Sequence, residues 1–162
     1  MNSLTLINSI IENPDQKVLI RGKQKEIVGF AEFKTINLGD AGYYKLTFAD
    51  HSFLFIIPSE NLSFYTEEAP APFLEIADEE IGNKQELVFR GKEFILDNAN
   101  DYQYVIRLIK GDYQAIEGEV KFSDYVPKDG SGELLSLGWI VRTGERADVN
   151  PKVIDISEVQ IS

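Results

Sequence analysis

The sequence contains no cysteine, so it has no disulfides, no thiolate metal ligands and no thiol nucleophile. Its single histidine, His51, leaves little room for a histidine-rich metal site or a serine-type triad. Basic residues are scarce: 16 Lys and Arg against 27 Asp and Glu give a formal charge of −11. Neutralising phosphates needs the opposite balance, which argues against direct nucleic-acid binding and against docking on anionic lipid. Long apolar runs are missing as well. The longest, 53–57, is far below the roughly 18 residues needed to cross a bilayer. The first residues carry no basic region and reach Glu12 and Pro14 too soon for a signal peptide. A cytoplasmic protein without membrane insertion is the expectation.

What is present is core material. The chain of 162 residues is 43% hydrophobic, enough for one ordinary domain or two very small ones. Leu4, Ile7 and Ile11, with Ile10 beside them, make one apolar stripe of a short helix, capped by Asn2 or Ser3 and ended by Asn13-Pro14. Two turns of helix are unstable alone, so this one is expected to cover an end or face of a β core.

Thereafter the period is two. Strands are expected over 17–21, 26–36 (with a bulge or bend at Gly29), 43–49, 52–57 and 62–65. Along 43–49, Tyr44, Leu46 and Phe48 share one face while Tyr43, Lys45 and Thr47 share the other. Residues 66–83 differ: Pro70-Ala71-Pro72 is stiff, and six acids with no basic residue lie between Glu67 and Glu80. This stretch reads as a linker with an acidic turn or short helix over 76–81 stopped by Gly82, in which Phe73, Leu74, Ile76 and Ile81 call for burial. Strands resume over 86–90, 93–96, 102–110, 113–116, 119–126, 134–142 and 152–161. The expected fold is mainly β: two small antiparallel barrel- or sandwich-like modules, or one merged sheet system, behind a short N-terminal helix. The domain reading is 1–65, a linker 66–83, and 84–162.

Val18-Leu19-Ile20-Arg21-Gly22-Lys23 recurs as Leu87-Val88-Phe89-Arg90-Gly91-Lys92. A duplicated β module would produce this recurrence, and so would a common hairpin entry used twice.

Sites for chemistry are sparse. His51 reads as a solvated turn residue, since no nucleophile is placed beside it by sequence and no Gly-x-Ser-x-Gly elbow occurs. Gly130-Ser131-Gly132 lacks a following helix and reads as a hairpin loop. The run 97–101 has oxygen ligands at alternate positions but lacks a calcium loop's central glycine and closing glutamate, so it reads as an Asx-rich turn between strands. Asp124, Asp129 and Glu133 form a further acidic group. No catalytic residue, metal site or cofactor is assigned. Tyr43, Tyr65, Tyr102, Tyr113, Tyr125 and Trp139 are the candidates for a partner-binding patch, because a ring with a polar tip suits a half-wet surface.

Residues 43–54 and the segments Phe122-Ser123-Asp124-Tyr125, Leu134-Leu135-Ser136-Leu137 and Val153-Ile154-Asp155-Ile156 resemble passages of uncharacterised bacterial DUF families. These are small paired β modules encoded near PspA-like stress proteins. The resemblance covers about a third of the chain. It implies small β modules with no assigned activity, so no functional residue is carried over.

The leading functional expectation is a non-catalytic acidic binding or adaptor protein that recognises a protein with a basic surface, for example as an immunity- or inhibitor-type protein. A carboxylate-based enzyme, with or without a divalent metal around Asp97, Asp101, Asp124 or Asp129, is the alternative. A structural subunit of a bacterial complex is the third reading.

Overall fold

The computed structural model describes residues 2–39, 42–114 and 116–161. It is mainly β, with one short N-terminal helix, a curled half-barrel sheet and a small separate sheet. Helix α1 is Ser3–Glu12. The strands are β1 (Val18–Ile20), β2 (Lys23–Lys25), β3 (Ile27–Thr35), β4 (Gly42–Phe48), β5 (Phe53–Ile57) and β6 (Leu62–Thr66). They continue with β7 (Glu86–Phe89), β8 (Lys92–Lys110), β9 (Val120–Pro127), β10 (Leu135–Ile140), β11 (Lys152–Val153) and β12 (Val159–Ile161).

The nine-stranded sheet runs β10-β9-β8-β3-β4-β5-β6-β11, with β7 paired to β8. The antiparallel β3–β8 ladder joins strands from the first and second halves of the sequence into this one sheet. The segment after β10 then closes the curl. It bridges β10 at Trp139↔Arg146 and Ser136↔Val149 and the residues before it at Glu133↔Lys152, while Lys152 and Val153 pair with Tyr65 and Phe64 of β6.

The bend has a local cause in β8. Two strands separated by an Asx turn are expected there, but a single strand of 19 residues forms. Its register against β9 slips twice, between Leu96 and Asn98 and between Asn98 and Asp101. Asn100 sits at φ 52°, a left-handed conformation that asparagine tolerates. The buried Asp101 carboxylate accepts from the amides of Asn37 (2.9 Å) and Tyr102 (2.7 Å) and from the Asn98 side chain (2.8 Å). The Asx chemistry thus makes a bulge rather than a turn, and bulges bend and twist the strand that carries them. A second irregularity falls between Ile27 and Gly29 of β3, where a bulge or bend is expected.

Two other expected strands differ. Tyr113, Gln114 and Ile116 lie in turns where 113–116 is expected to be extended, and Ala115 is outside the described residues. The expected strand over 152–161 breaks into β11, a 3₁₀ turn (Ile156–Glu158) and β12. Asp155 ends the extended run by accepting from the Ser157 amide at 2.9 Å. This break lets β12 pair with β1 and complete the small sheet β12-β1-β2.

The convex face is covered at two places. On one, α1 buries Leu6, Ile7 and Ile10 against Phe30, Leu46, Phe48, Leu54, Ile56 and Tyr65, with Val18, Ile20 and Val159 beside them. The buried stripe is therefore rotated from the expected one: Leu4 is exposed and Leu6 is inside. The neighbouring Ser3 fixes that rotation, since its amide and hydroxyl both donate to the Asn61 side-chain oxygen (3.0 and 2.7 Å).

On the other, residues 73–81 and the β7–β8 hairpin pack Ile76, Ile81, Leu87, Phe89 and Phe94 onto Tyr125, Leu135 and Leu137. Phe73 stacks on Phe89 at 4.5 Å. The short helix expected over 76–81 is a 3₁₀ turn at Asp78–Glu80. Leu74, expected inside, is 92% exposed, because Phe73 and Ile76 on either side take the inward positions.

The recurring Arg-Gly-Lys marks the same device twice. Arg21-Gly22 and Arg90-Gly91 have φ of 50° and 80°, then 51° and 76°, as a two-residue hairpin loop of type I′ requires. The two hairpins differ beyond the turn: the first lies in the three-stranded sheet, the second on the nine-stranded one. Gly22→Ala and Gly91→Ala are each expected to cost about 1 kcal/mol in urea unfolding, since alanine is strained at positive φ. An unchanged midpoint in both variants would show that the turns do not hold this geometry.

Candidate functional site

Alternation along each strand places one set of side chains inside the curl. There they leave a cavity of about 120 Å³. Its walls are Leu38, Tyr43, Phe55, Ile57, Phe64, Phe122 and Leu134. Four aromatic rings are among them, contributed by β4, β5, β6 and β9. Against this apolar lining stand Thr35, Gln103, Asp124 and Ser136. An engineered cavity of about 150 Å³ accepts benzene, so this space suits one ring or a short alkyl chain.

The polar groups are ordered by one another. Tyr43 stacks on Phe33 with centroids 5.3 Å apart, and its hydroxyl donates to the Gln103 side-chain oxygen. The Gln103 amide nitrogen donates in turn to the Gly118 carbonyl at 3.1 Å. Asp124 pairs across the β9–β10 ladder with Ser136, which hydrogen-bonds its carboxylate. Burial nonetheless pushes the Asp124 carboxyl up to about 7, with the charges of Asp97 and Asp101 on β8 adding to the rise. None of the groups acting on it is a cation. Burial also raises the Tyr43 hydroxyl well above its ordinary value, helped by Asp124, Glu117 and Asp101. At one end of the cavity wall, the buried Lys45 ammonium meets Glu117 at 2.6 Å. It also lies 4.8 and 5.6 Å from the ring centres of Phe53 and Phe55. The cavity is therefore aromatic, acidic and without a free cation among its described lining residues.

The six aromatic residues singled out from sequence do not form one patch. Tyr43 lines the cavity. Tyr125 is wholly buried on the convex side, where its hydroxyl accepts from the Gly82 amide (3.2 Å) and donates to the Lys84 carbonyl (2.7 Å). Tyr65 is buried beneath α1. Trp139 is half-buried against the cluster around Tyr125. Tyr102 donates to Glu119 at 2.6 Å, and the exposed Tyr113 lies against Gly118. Tyr102 and the half-buried Trp139 flank the exposed Lys121 in register across β8, β9 and β10, and Gly118, against which Tyr113 lies, is one residue from Glu119, the partner of Tyr102.

The acidic candidates separate as well. Asp101 caps the β8 bulge, as described. Asp129 and Glu133 flank Lys92, at 3.6 and 2.6 Å, and Asp97 is exposed. Among the described residues, no three Asp, Glu or His side chains converge as a metal ion would need. His51 is exposed at φ 72° in the β4–β5 turn. Its neighbour Asp50 is held at about 2: burial would raise it, but the Lys25 ammonium and the Ser52 hydroxyl and amide outweigh that. Gly130-Ser131-Gly132 is the β9–β10 connection, where Ser131 accepts from Lys92 at 3.0 Å.

Gln103, Ser136, Phe55 and Phe64 were not legible as site residues, because polar and apolar residues alternate on any half-buried strand. Asp124 carried a usable signal: it falls at an inward position one step beyond Phe122, where a carboxylate is costly unless compensated. Comparison of the chain with protein-family models, with curated proteins and with solved structures finds no match.

Proposed function

We propose that this chain is a non-catalytic binding protein, that the cavity inside the curl is its recognition site, and that its macromolecular partner has a basic surface. The observation that carries the reading is the aromatic-walled cavity with its few fixed polar groups, the usual form of a binding site. The charge of −11 supports the choice of partner, since opposite potentials speed encounter and fix orientation. A side chain of the partner seated in the cavity would act as the buried anchor that dominates such interfaces.

The test is co-purification from source extract, using the wild-type chain and Ser136→Phe, which fills the cavity. Thermal unfolding checks that the variant folds. Capture by wild type at low salt, release at high salt and no capture by the folded variant are expected. Capture indifferent to both salt and Ser136→Phe would defeat the reading.

The enzyme alternative has one observation in its favour. A carboxyl titrating near neutrality in an apolar cavity suits general acid–base chemistry. It is favoured over binding only if Asp124→Asn abolishes a turnover that the wild-type protein performs.

A further inference from the structure

We infer that the cavity selects a protonated amine carried on an apolar stem, either a free organic ammonium or the lysine side chain of a partner. This rests on the cavity being the recognition site and names what enters it. Three features of the lining converge. The rings of Tyr43, Phe55, Phe64 and Phe122 surround the space, and an ammonium is attracted to aromatic faces, more strongly when desolvated. The half-buried Asp124 carboxyl sits among those rings with a serine hydroxyl and no cation acting on it, so it lacks the counter-charge that offsets a carboxylate's partial removal from water. The remaining charges around it have the same sign or cancel. Asp97 and Asp101 on β8 raise Asp124, and the Tyr43 hydroxyl on β4 stays protonated. Glu117 is paired with Lys45. An anion entering would face carboxylates, a neutral guest would leave Asp124 uncompensated, and a cation would supply the missing partner.

The protein itself provides an internal precedent. Lys45 is buried with its ammonium against two phenylalanine rings and one carboxylate. That is the environment proposed for the guest, and Phe55 belongs to both.

The experiment is calorimetric titration of the full chain with benzylamine, benzyl alcohol and benzoate, three guests of matched size that differ in charge. N-acetyl-lysine methylamide and butylamine form a second arm that separates a peptide side chain from a free amine. Benzylamine or butylamine is expected to bind, at least tenfold tighter than benzyl alcohol, with no binding of benzoate. The amine's affinity is expected to rise about tenfold from pH 6 to pH 8, because Asp124 loses its proton over that range while the amine keeps its own. In Asp124→Asn the preference for amine over alcohol and the pH dependence should both vanish, with alcohol binding retained. Tighter binding of the lysine derivative than of butylamine assigns the guest to a partner's side chain, and the reverse assigns it to a free amine. Equal binding of amine and alcohol by the wild-type chain would overturn the inference yet leave the cavity as a site. Binding of none of the guests would overturn both.

Discussion

Replacing Asp148 with alanine is expected to lower the unfolding free energy by about 3–5 kcal/mol, a fifth or more of the roughly 5–15 kcal/mol that holds a domain folded. Asp148 has no exposed surface. Its two oxygens accept from the Gly138 amide of β10 (3.2 Å), from the Phe73 amide (2.8 Å) and from the Arg146 guanidinium. Arg146 is itself nearly buried and reaches on to the Ile76 carbonyl (2.7 Å) and Asp78 (3.0 Å). One carboxylate therefore ties the acidic 66–83 stretch to the outer strand of the sheet. Alanine would leave the nearly buried guanidinium with only the exposed Asp78 as counter-charge and the Phe73 and Gly138 amides without their acceptor, which costs more than the net worth of the pair. Asp148→Asn keeps one acceptor oxygen and should lose about half as much. Urea unfolding gives the magnitude, and limited proteolysis gives the place: cleavage between Pro70 and Ile76 should appear in the alanine variant while the remaining sheet still resists. A loss below about 1 kcal/mol would mean that the strap is held by Phe73, Ile76 and Ile81 alone.

Asp124→Asn should act in the opposite direction. The folded carboxyl titrates at about 7, against an ordinary value of 3.8. Between these values the folded chain binds a proton that the unfolded chain does not. Stability therefore falls as pH rises through the window from about 4 to about 7, and the penalty is complete above it. Its size is about 2–4 kcal/mol, the lower figure allowing for water in the cavity. Asp50, Asp101 and Glu133, whose folded values are lowered, stabilise the fold above their unfolded values and lose that contribution as pH falls. Their window lies below about pH 5, beneath most of that of Asp124. Chemical denaturation from pH 5 to pH 8 should thus show a decline in the wild-type protein and a flat profile in the asparagine variant, which is the more stable at pH 8. Parallel profiles would show that the fold does not raise the Asp124 carboxyl.

These two residues show where sequence reasoning reached and where it stopped. Both are aspartates in a chain with 27 acids; alternation with Phe122 marks Asp124, whereas no local pattern separates Asp148 from exposed acids such as Asp129. Alternation in β4 and β5 correctly gave the two faces, with Tyr43 and Lys45 on one and Tyr44 and Leu46 on the other. It did not say which face would hold a cavity. The Asx run at 97–101 signals its side-chain hydrogen bonds but not their consequence, a bulge within one long strand. A turn and a bulge use the same side-chain hydrogen bonds, and only the presence of β9 alongside makes the extended path the better one.

Composition and period alone determined that this chain is a β protein with a short amphipathic helix, and where most of its strands begin and end. Those outcomes depend on neighbours along the chain, whose spacing the sequence states directly. Tertiary structure decided the curl of the large sheet, the pairing of β3 with β8, and the return of residues 146–153 between β10 and β6. It also decided the meeting of Tyr43, Gln103, Asp124 and Ser136 around one cavity. Each of these sets residues from distant parts of the chain side by side, and the free energy that selects such contacts comes from burial shared by the whole fold rather than from any local segment.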